Sequence, residues 1–279
     1  MSSTAVVGWT GTRRVLASLA SRSRTGVVTG GRLVVLAVES ITAAVTDIVH
    51  RRFSWTEFML QAWFMTRVSL LPTVLVAIPF GVIISVQIGA VASQVGATSF
   101  MGAVNGIGIL RQAAPLVTSL MIAGAVGSAI CSDLGARTVR EEIDALKVMG
   151  ISPVQRLVAP RVLAALVVAL LLTIVVSVTA MVTAYVLNVG GGKVSAGAYQ
   201  ESFVAFSQPT DLALAEFKSL VFGFIATVVA AHKGLSASGG PKGVADAVNQ
   251  AVVLSVILLA LANVAITQAY VMLMPQGMA

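Results

Sequence analysis

From Val68 to Leu110 the chain carries no charged side chain, and most positions are apolar. About 20 such residues in a helix cross the hydrocarbon layer of a bilayer, so this run contains a span, placed at 68–95. Four further apolar runs read the same way, at 112–132, 162–187, about 212–231 and 250–274. The fourth is the weakest. Its uncharged centre is 219–231, its start falls near Leu212 or Lys218, and Lys218 would have to snorkel to the interface. The pattern predicts an all-α integral membrane protein, with five spans over 68–279 preceded by a polar segment, 1–67.

Small and charged residues punctuate these runs. Pro72, Pro79 and Gly81 remove or weaken backbone hydrogen bonds, so the first span is expected to bend or break near its start. Gly96, Gly102, Gly106 and Gly108 mark 96–110 as an exit loop or loosened helix end, and Pro115 suits the first turn of the second span. Four acids and five bases between Asp133 and Arg161 describe a loop in water. Residues 188–217 read as a second polar connection with one short helix, and 234–243 as a tight glycine-rich turn.

Ahead of the spans, Val34, Val38, Ile41, Val45 and Ile48 recur at steps of three and four within 32–50, while Arg32, Glu39, Thr42, Thr46 and Asp47 lie elsewhere around the helix. Such a helix lies in the membrane interface, and Trp55, Phe58, Trp63 and Phe64 beside Arg51, Arg52 and Arg67 extend that reading. The longest unbroken apolar run here, Leu33–Val38, stops at Glu39 and is too short for a signal-peptide core, so the segment is expected to stay in the protein. The first dozen residues are expected to lack order.

With 57% apolar and 10% charged residues, against about 25% charged in soluble domains, the chain cannot cover a water-soluble globule. Its net charge of +7 is a topology signal rather than a sign of nucleic-acid binding, because the charges sit between the apolar runs. Fifteen Lys and Arg fall in 1–67, in 133–161 and at Lys233 and Lys242, against Arg111, Lys193 and Lys218 on the other side. That asymmetry puts the N-terminus in the cytoplasm and the tail outside. Spans 68–95, 112–132, 162–187 and 250–274 hold no Asp, Glu, Lys or Arg, whereas cation-coupled transporters keep such groups in the bilayer. An energy source outside the chain and an apolar cargo are therefore favoured over an ion-gradient-driven secondary transporter or a non-transporting scaffold. The lone Cys131, the separated His50 and His232 and the absence of a Walker A or hydrolase motif give neither a metal site nor a catalytic one. The chain is expected not to be an enzyme.

Within the loop, a helix is expected over 138–149, with Val139, Ile143, Leu146 and Met149 as an apolar stripe. Arg140 with Asp144, and Asp144 with Lys147, stand at ion-pair spacing; Gly150 ends the helix and Pro153 forbids its resumption. An amphipathic helix presented between spans offers a docking surface. The run Glu141-Glu-Ile-Asp-Ala-Leu-Lys-Val-Met-Gly150 resembles the coupling-helix signature of the MlaE/YrbE permeases, membrane subunits of lipid-transporting ABC systems that work with MCE proteins. Leu110-Arg-Gln-Ala-Ala-Pro115, Ala123-Gly-Ala-Val-Gly-Ser-Ala129, Phe217-Lys-Ser-Leu-Val-Phe-Gly223 and Gly239-Gly-Pro-Lys-Gly-Val244 are similar as well, across most of 70–270. Thirteen arginines to five lysines, and spans rich in Ala and Val, point within the family to an actinobacterial YrbE subunit of an Mce system.

The resemblance implies an interfacial helix, five spans and a cytoplasmic coupling helix between the second and third. It also implies a second YrbE/MlaE-type permease subunit, a cytosolic ATPase dimer that binds ATP and Mg, and MCE-domain proteins on the outer face of the plasma membrane. No cofactor is implied for this chain. Glu141, Glu142, Asp144 and Lys147 are expected to fix the helix in an ATPase cleft, with Ile143 and Leu146 as apolar anchors. Ile84, Gln87, Val91 and Val95 share one stripe of the first span and are read as a lipid path, with Arg111 and Gln112 as a polar pair for the headgroup. Many members have Glu-Leu-Gly where this chain has Gln112-Ala113-Ala114, and some have Arg where Ala125 stands. Those departures suggest a fatty acid, sterol or related apolar lipid rather than a phospholipid.

Overall fold

The computed structural model describes residues 29–273 apart from Arg52, and every regular element among them is helical. The expectations for the first dozen residues and for the tail ending at Ala279 lie outside the described residues. Helix α1 covers 29–49, followed by α2 (Trp55–Gln94), α3 (Thr98–Val139), α4 (Glu142–Val148), α5 (Val154–Gly190), α6 (Ala196–Phe206), α7 (Pro209–Leu235) and α8 (Gly240–Leu273). Five of these, α2, α3, α5, α7 and α8, are long and apolar enough to cross a membrane. The links that carry α4 and residues 236–239 lie at one end of the bundle, called the α4 end. The links 95–97 and 191–208, with α6, lie at the other, the α6 end.

The span count agrees with the hydropathy pattern, and the boundaries do not. Helix α2 begins at Trp55, capped by Ser54, so the aromatic residues expected to lie in the interface form its first turns, and it runs unbroken through Pro72 and Pro79. Its buried residues fall at every fourth position, Met65, Ser69, Thr73, Ala77, Gly81, Ser85 and Gly89. This stripe lies on α5. A Cβ on Gly81 would stand 2.8 Å from the Ala180 carbonyl oxygen, and the Asn188 amide donates to Ser85 Oγ at 2.6 Å. Between helices in lipid there is little hydrophobic drive, so small residues that let backbones approach supply the packing.

The expected exit loop 96–110 is a helix from Thr98 onward. Gly96, at φ +69°, is a true turn residue, but Gly102 and Gly106 serve packing. A Cβ on Gly102 would collide with the Tyr199 carbonyl, and one on Gly106 would meet the Phe203 ring at 2.8 Å, so α6 lies flat on the start of α3. Pro115 is therefore an interior proline. It follows a widened π-helical turn, Ile109–Ala113, as Pro160 follows Val154–Val158; the wider turn makes room for a ring that would clash in a regular helix. Pro153 does not prevent helix resumption, because it stands at the entry of α5, where its fixed φ is already suitable.

Helices α3, α5 and α7 form the centre, while α2 and α8 leave broad apolar faces uncovered, such as Leu71 (67% exposed) and Leu261 (64%). Helix α1 packs through Leu36, Ser40 and Ala44, and Gln155 on α5 donates to Asp47 at 2.5 Å. Its Val34–Ile48 stripe stays exposed, as a helix lying in an interface requires.

Candidate coupling and transport sites

Helix α3 ends at Val139, and Glu141 then turns the chain in the left-handed region (φ +60°) so that α4 starts at Glu142, later than the 138 expected. The seven-residue helix is fastened by Ile143, buried in the same apolar core as Leu134, Leu157 and Val158, with Leu146 packed against it. This corrects the expected anchor role. Of the expected stripe, Ile143 and Leu146 face the bundle while Met149 (64% exposed), at the end of α4, does not, and Val148 (89%), Glu141, Asp144 and Lys147 are exposed beside it. Lys147 pairs with Asp144 at 2.8 Å, as spacing predicted, but Arg140 pairs with Glu142 at 2.8 Å rather than with Asp144.

Glu142 also meets Arg137 at 3.8 Å, Arg137 meets Asp133 at 3.4 Å, and Asp133 meets Arg161 at 2.5 Å. Arg161, expected at the edge of a water-filled loop, is fully buried in α5. These pairs form a charge ladder from the exposed start of α4 through α3 to α5. The i,i+4 spacing of Asp133 and Arg137 was its visible sign in the sequence; the link to Arg161, 28 positions away, had none.

Near the α6 end, three charged residues lie inside the bundle. Asp211 is fully buried and accepts from Arg111 Nε at 2.5 Å, while the Arg111 guanidinium lies 5.7 Å from the centre of the Tyr270 ring. Lys218 does not snorkel. It is fully buried, and its Nζ donates to the Arg111 carbonyl at 3.0 Å and to Thr267 Oγ1 at 2.9 Å. In a regular helix the carbonyl of residue 111 would accept the amide of residue 115, which is Pro115 and has none; Lys218 brings a donor to that carbonyl from another helix. The bundle is therefore not free of charge, and Glu216 on α7 adds a half-buried carboxylate that accepts from Ser219 at 3.4 Å.

The expected lipid path is only partly assembled. Ile84 is half-buried, with its Cγ2 3.7 Å from where a Cβ on Gly108 would lie, while Gln87, Val91 and Val95 are exposed. Gln112 is exposed too, but Arg111 is taken up by Asp211 and is not a free cation for a headgroup. The two ends of the bundle thus offer an exposed, charge-braced helix and a buried, hydrogen-bonded polar cluster.

A family model described as Permease MlaE matches residues 58–269, which include α4, the ladder and the buried cluster. The chain belongs to the MlaE permease family. A protein of Synechocystis named as a probable ABC transporter permease is 32% identical over 66% of this chain and 70% of its own length. Another so named, from Rickettsia bellii, is 28% identical over 82% of this chain and 88% of its own. The chloroplastic protein Trigalactosyldiacylglycerol 1 of Arabidopsis thaliana is 28% identical over 66% of this chain and 52% of its own. In this MlaE permease, then, α4 stands between the second and third spans as a helix held by its own bundle, and its exposed surface is the part a partner can meet.

Proposed function

We propose that the chain is the permease subunit of an MCE-associated ABC transporter that moves lipids across the plasma membrane. It pairs with a second permease subunit of the same type and is driven by a separate cytosolic ATPase dimer. MCE-domain proteins receive or deliver lipid on the outer face. The observation that carries this reading is α4: its inner face is locked to the core by Ile143, its first residue is tied through Arg137 and Asp133 to Arg161, and its outer face is left exposed by the described residues. A push on Val148 and Met149 would be passed along that ladder into α3 and α5. ATP and Mg act on the partner ATPase in this scheme.

Replacing Val148 and Met149 together with Asp is expected to remove the co-purifying ATPase while leaving the folded permease in the membrane, since both side chains are exposed. Retention of the ATPase at wild-type yield moves the coupling surface elsewhere. Ile143→Asp does not serve as this test, because a carboxylate buried in the core would unfold the segment. A gradient-driven transporter would need the Arg111–Asp211–Lys218 cluster to titrate during transport; flux driven by an ion gradient in the lone subunit would favour it.

The fifteen-to-three distribution of Lys and Arg supports a cytoplasmic α4 end. In a Cys131→Ser background, a thiol at exposed Ser195 is expected to react with an impermeant reagent from outside, and thiols at exposed Ser152 or Ser238 are not. The reverse pattern would invert the topology.

A further inference from the structure

At the α6 end a groove of about 390 Å³ opens on the side of the bundle between α3, α5 and α6. Ile109, Met181, Val182 and Phe203 give it apolar walls, its polar side chains are those of Tyr185, Tyr199 and Gln200, and no charged residue lines it. Arg111, two positions beyond the groove-lining Ile109, is held by Asp211, and Lys193 lies on the exposed link between α5 and α6. With no charged residue in its lining, the groove gives an anionic headgroup no counter-charge in contact, which is costly in a low-dielectric site.

A second observation points to a polar end on the occupant. Asn105, next to the groove-lining Gly106, is fully buried, and its amide has no hydrogen-bond partner apart from Tyr199. Its side chain lies beside Tyr199, the residue that also lines the groove. Unmet buried polar groups are unfavourable, and Tyr199 is the group through which that unused capacity can reach a ligand. Burial pushes the Tyr199 phenol up from its ordinary value, so it stays a neutral hydroxyl. Ligand pockets run from about 300 to 1,000 Å³, and this groove is at the small end. It suits one acyl chain or a compact ring system, not the two chains of a phospholipid, and it is too small for a partner's helix of roughly 10 Å diameter.

We propose that this groove is a binding site for a neutral lipid with a single apolar body and a terminal hydroxyl or carbonyl, oriented by Tyr199 and Asn105. The proposal rests on the lipid-transport reading and narrows its substrate class. The whole complex, reconstituted in nanodiscs, is exposed to two photoreactive probes, a diazirine-bearing long-chain alcohol and a diazirine-bearing phosphatidylcholine. The alcohol is expected to label residues 181–185 and 199–204 above the outward faces of α2 and α8, and the phosphatidylcholine is not. Val182→Trp, at an exposed wall position, should cut that labelling about tenfold, a loss of about 1.4 kcal/mol of binding, with the other labelling unchanged. Tyr199→Phe should remove the preference for the alcohol over a diazirine alkane. Equal labelling by both lipid probes, no enrichment in the groove, or indifference to Val182→Trp would each overturn the proposal. A complex that labels as expected but moves no lipid sinks the transport reading and leaves the site standing; one that moves lipid with the groove unlabelled sinks the site alone.

Discussion

Lys218→Met and Pro115→Ala are expected to be strongly non-additive. In the wild-type background, removing the Lys218 ammonium takes a donor from the Arg111 carbonyl, and the residue four positions on is a proline that cannot replace it. A buried, unsatisfied carbonyl costs about 1–3 kcal/mol, offset in part by relief from burying an ammonium. Pro115→Ala returns an amide to the place where the carbonyl expects one, so the same Lys218→Met substitution should then cost about 2 kcal/mol less. The measurement is a double-mutant cycle on the purified complex, read from unfolding midpoints in detergent. Lys218→Arg, which keeps donors, is expected to stay near wild type. Additive single effects would mean that Lys218 is held for its charge rather than for the gap that Pro115 leaves. Coupling of the expected size makes the buried cluster a fastening between α3, α7 and α8, which is why intramembrane charge here does not by itself argue for ion coupling.

The same residues explain how far the sequence could be read. Five apolar runs are enough to count spans, since no other structure satisfies the backbone of such runs in lipid. Their ends were misplaced wherever a charge is buried. Arg111, Arg161, Asp211 and Lys218 look like interface markers in a linear pattern, and each is inside the bundle because its partner comes from another helix. Arg111 and Asp211 are 100 positions apart and Lys218 and Thr267 are 49 apart, and nothing in spacing links them. Glycine misled for a related reason. Gly96 turns the chain at positive φ while Gly102 and Gly106 seat α6, and one-letter pattern treats all three as breakers. At α4 the periodicity was legible but its direction was not: an apolar stripe states that something covers it, not whether the cover is a partner or the chain's own core. Met149, though part of the stripe, is exposed together with Val148, which lies outside it, so the periodicity did not show which of its members the bundle covers.

Gly81→Leu is expected to be the most damaging single substitution on α2. Its Cβ would stand 2.8 Å from the Ala180 carbonyl oxygen, 3.0 Å from the Ala180 Cα and 3.1 Å from the Thr183 Cβ. Two of these atoms are backbone and cannot rotate away, so α2 and α5 must separate. Separation also breaks the 2.6 Å bond from the Asn188 amide to Ser85, one turn farther along the same seam. Overpacking of this kind costs about 1–3 kcal/mol, and a buried amide left without its partner about 1–3 kcal/mol more, enough to consume much of a marginal stability. Loss of folded protein in detergent, with rapid proteolysis of α2, is the expected result. Gly197→Ala is the control, because open space surrounds that residue in α6 and alanine favours helix; its midpoint should hold or rise. Val86→Trp, on the exposed face of α2, should likewise leave the single chain folded. A Gly81→Leu protein that unfolds at the wild-type midpoint would mean that α2 does not lie on α5 through its small-residue stripe. If it unfolds early while Val86→Trp does not, the division of α2 is established: a small-residue face that fixes it to its own bundle, and an apolar face of Ile83, Val86 and Val91 that the bundle leaves exposed.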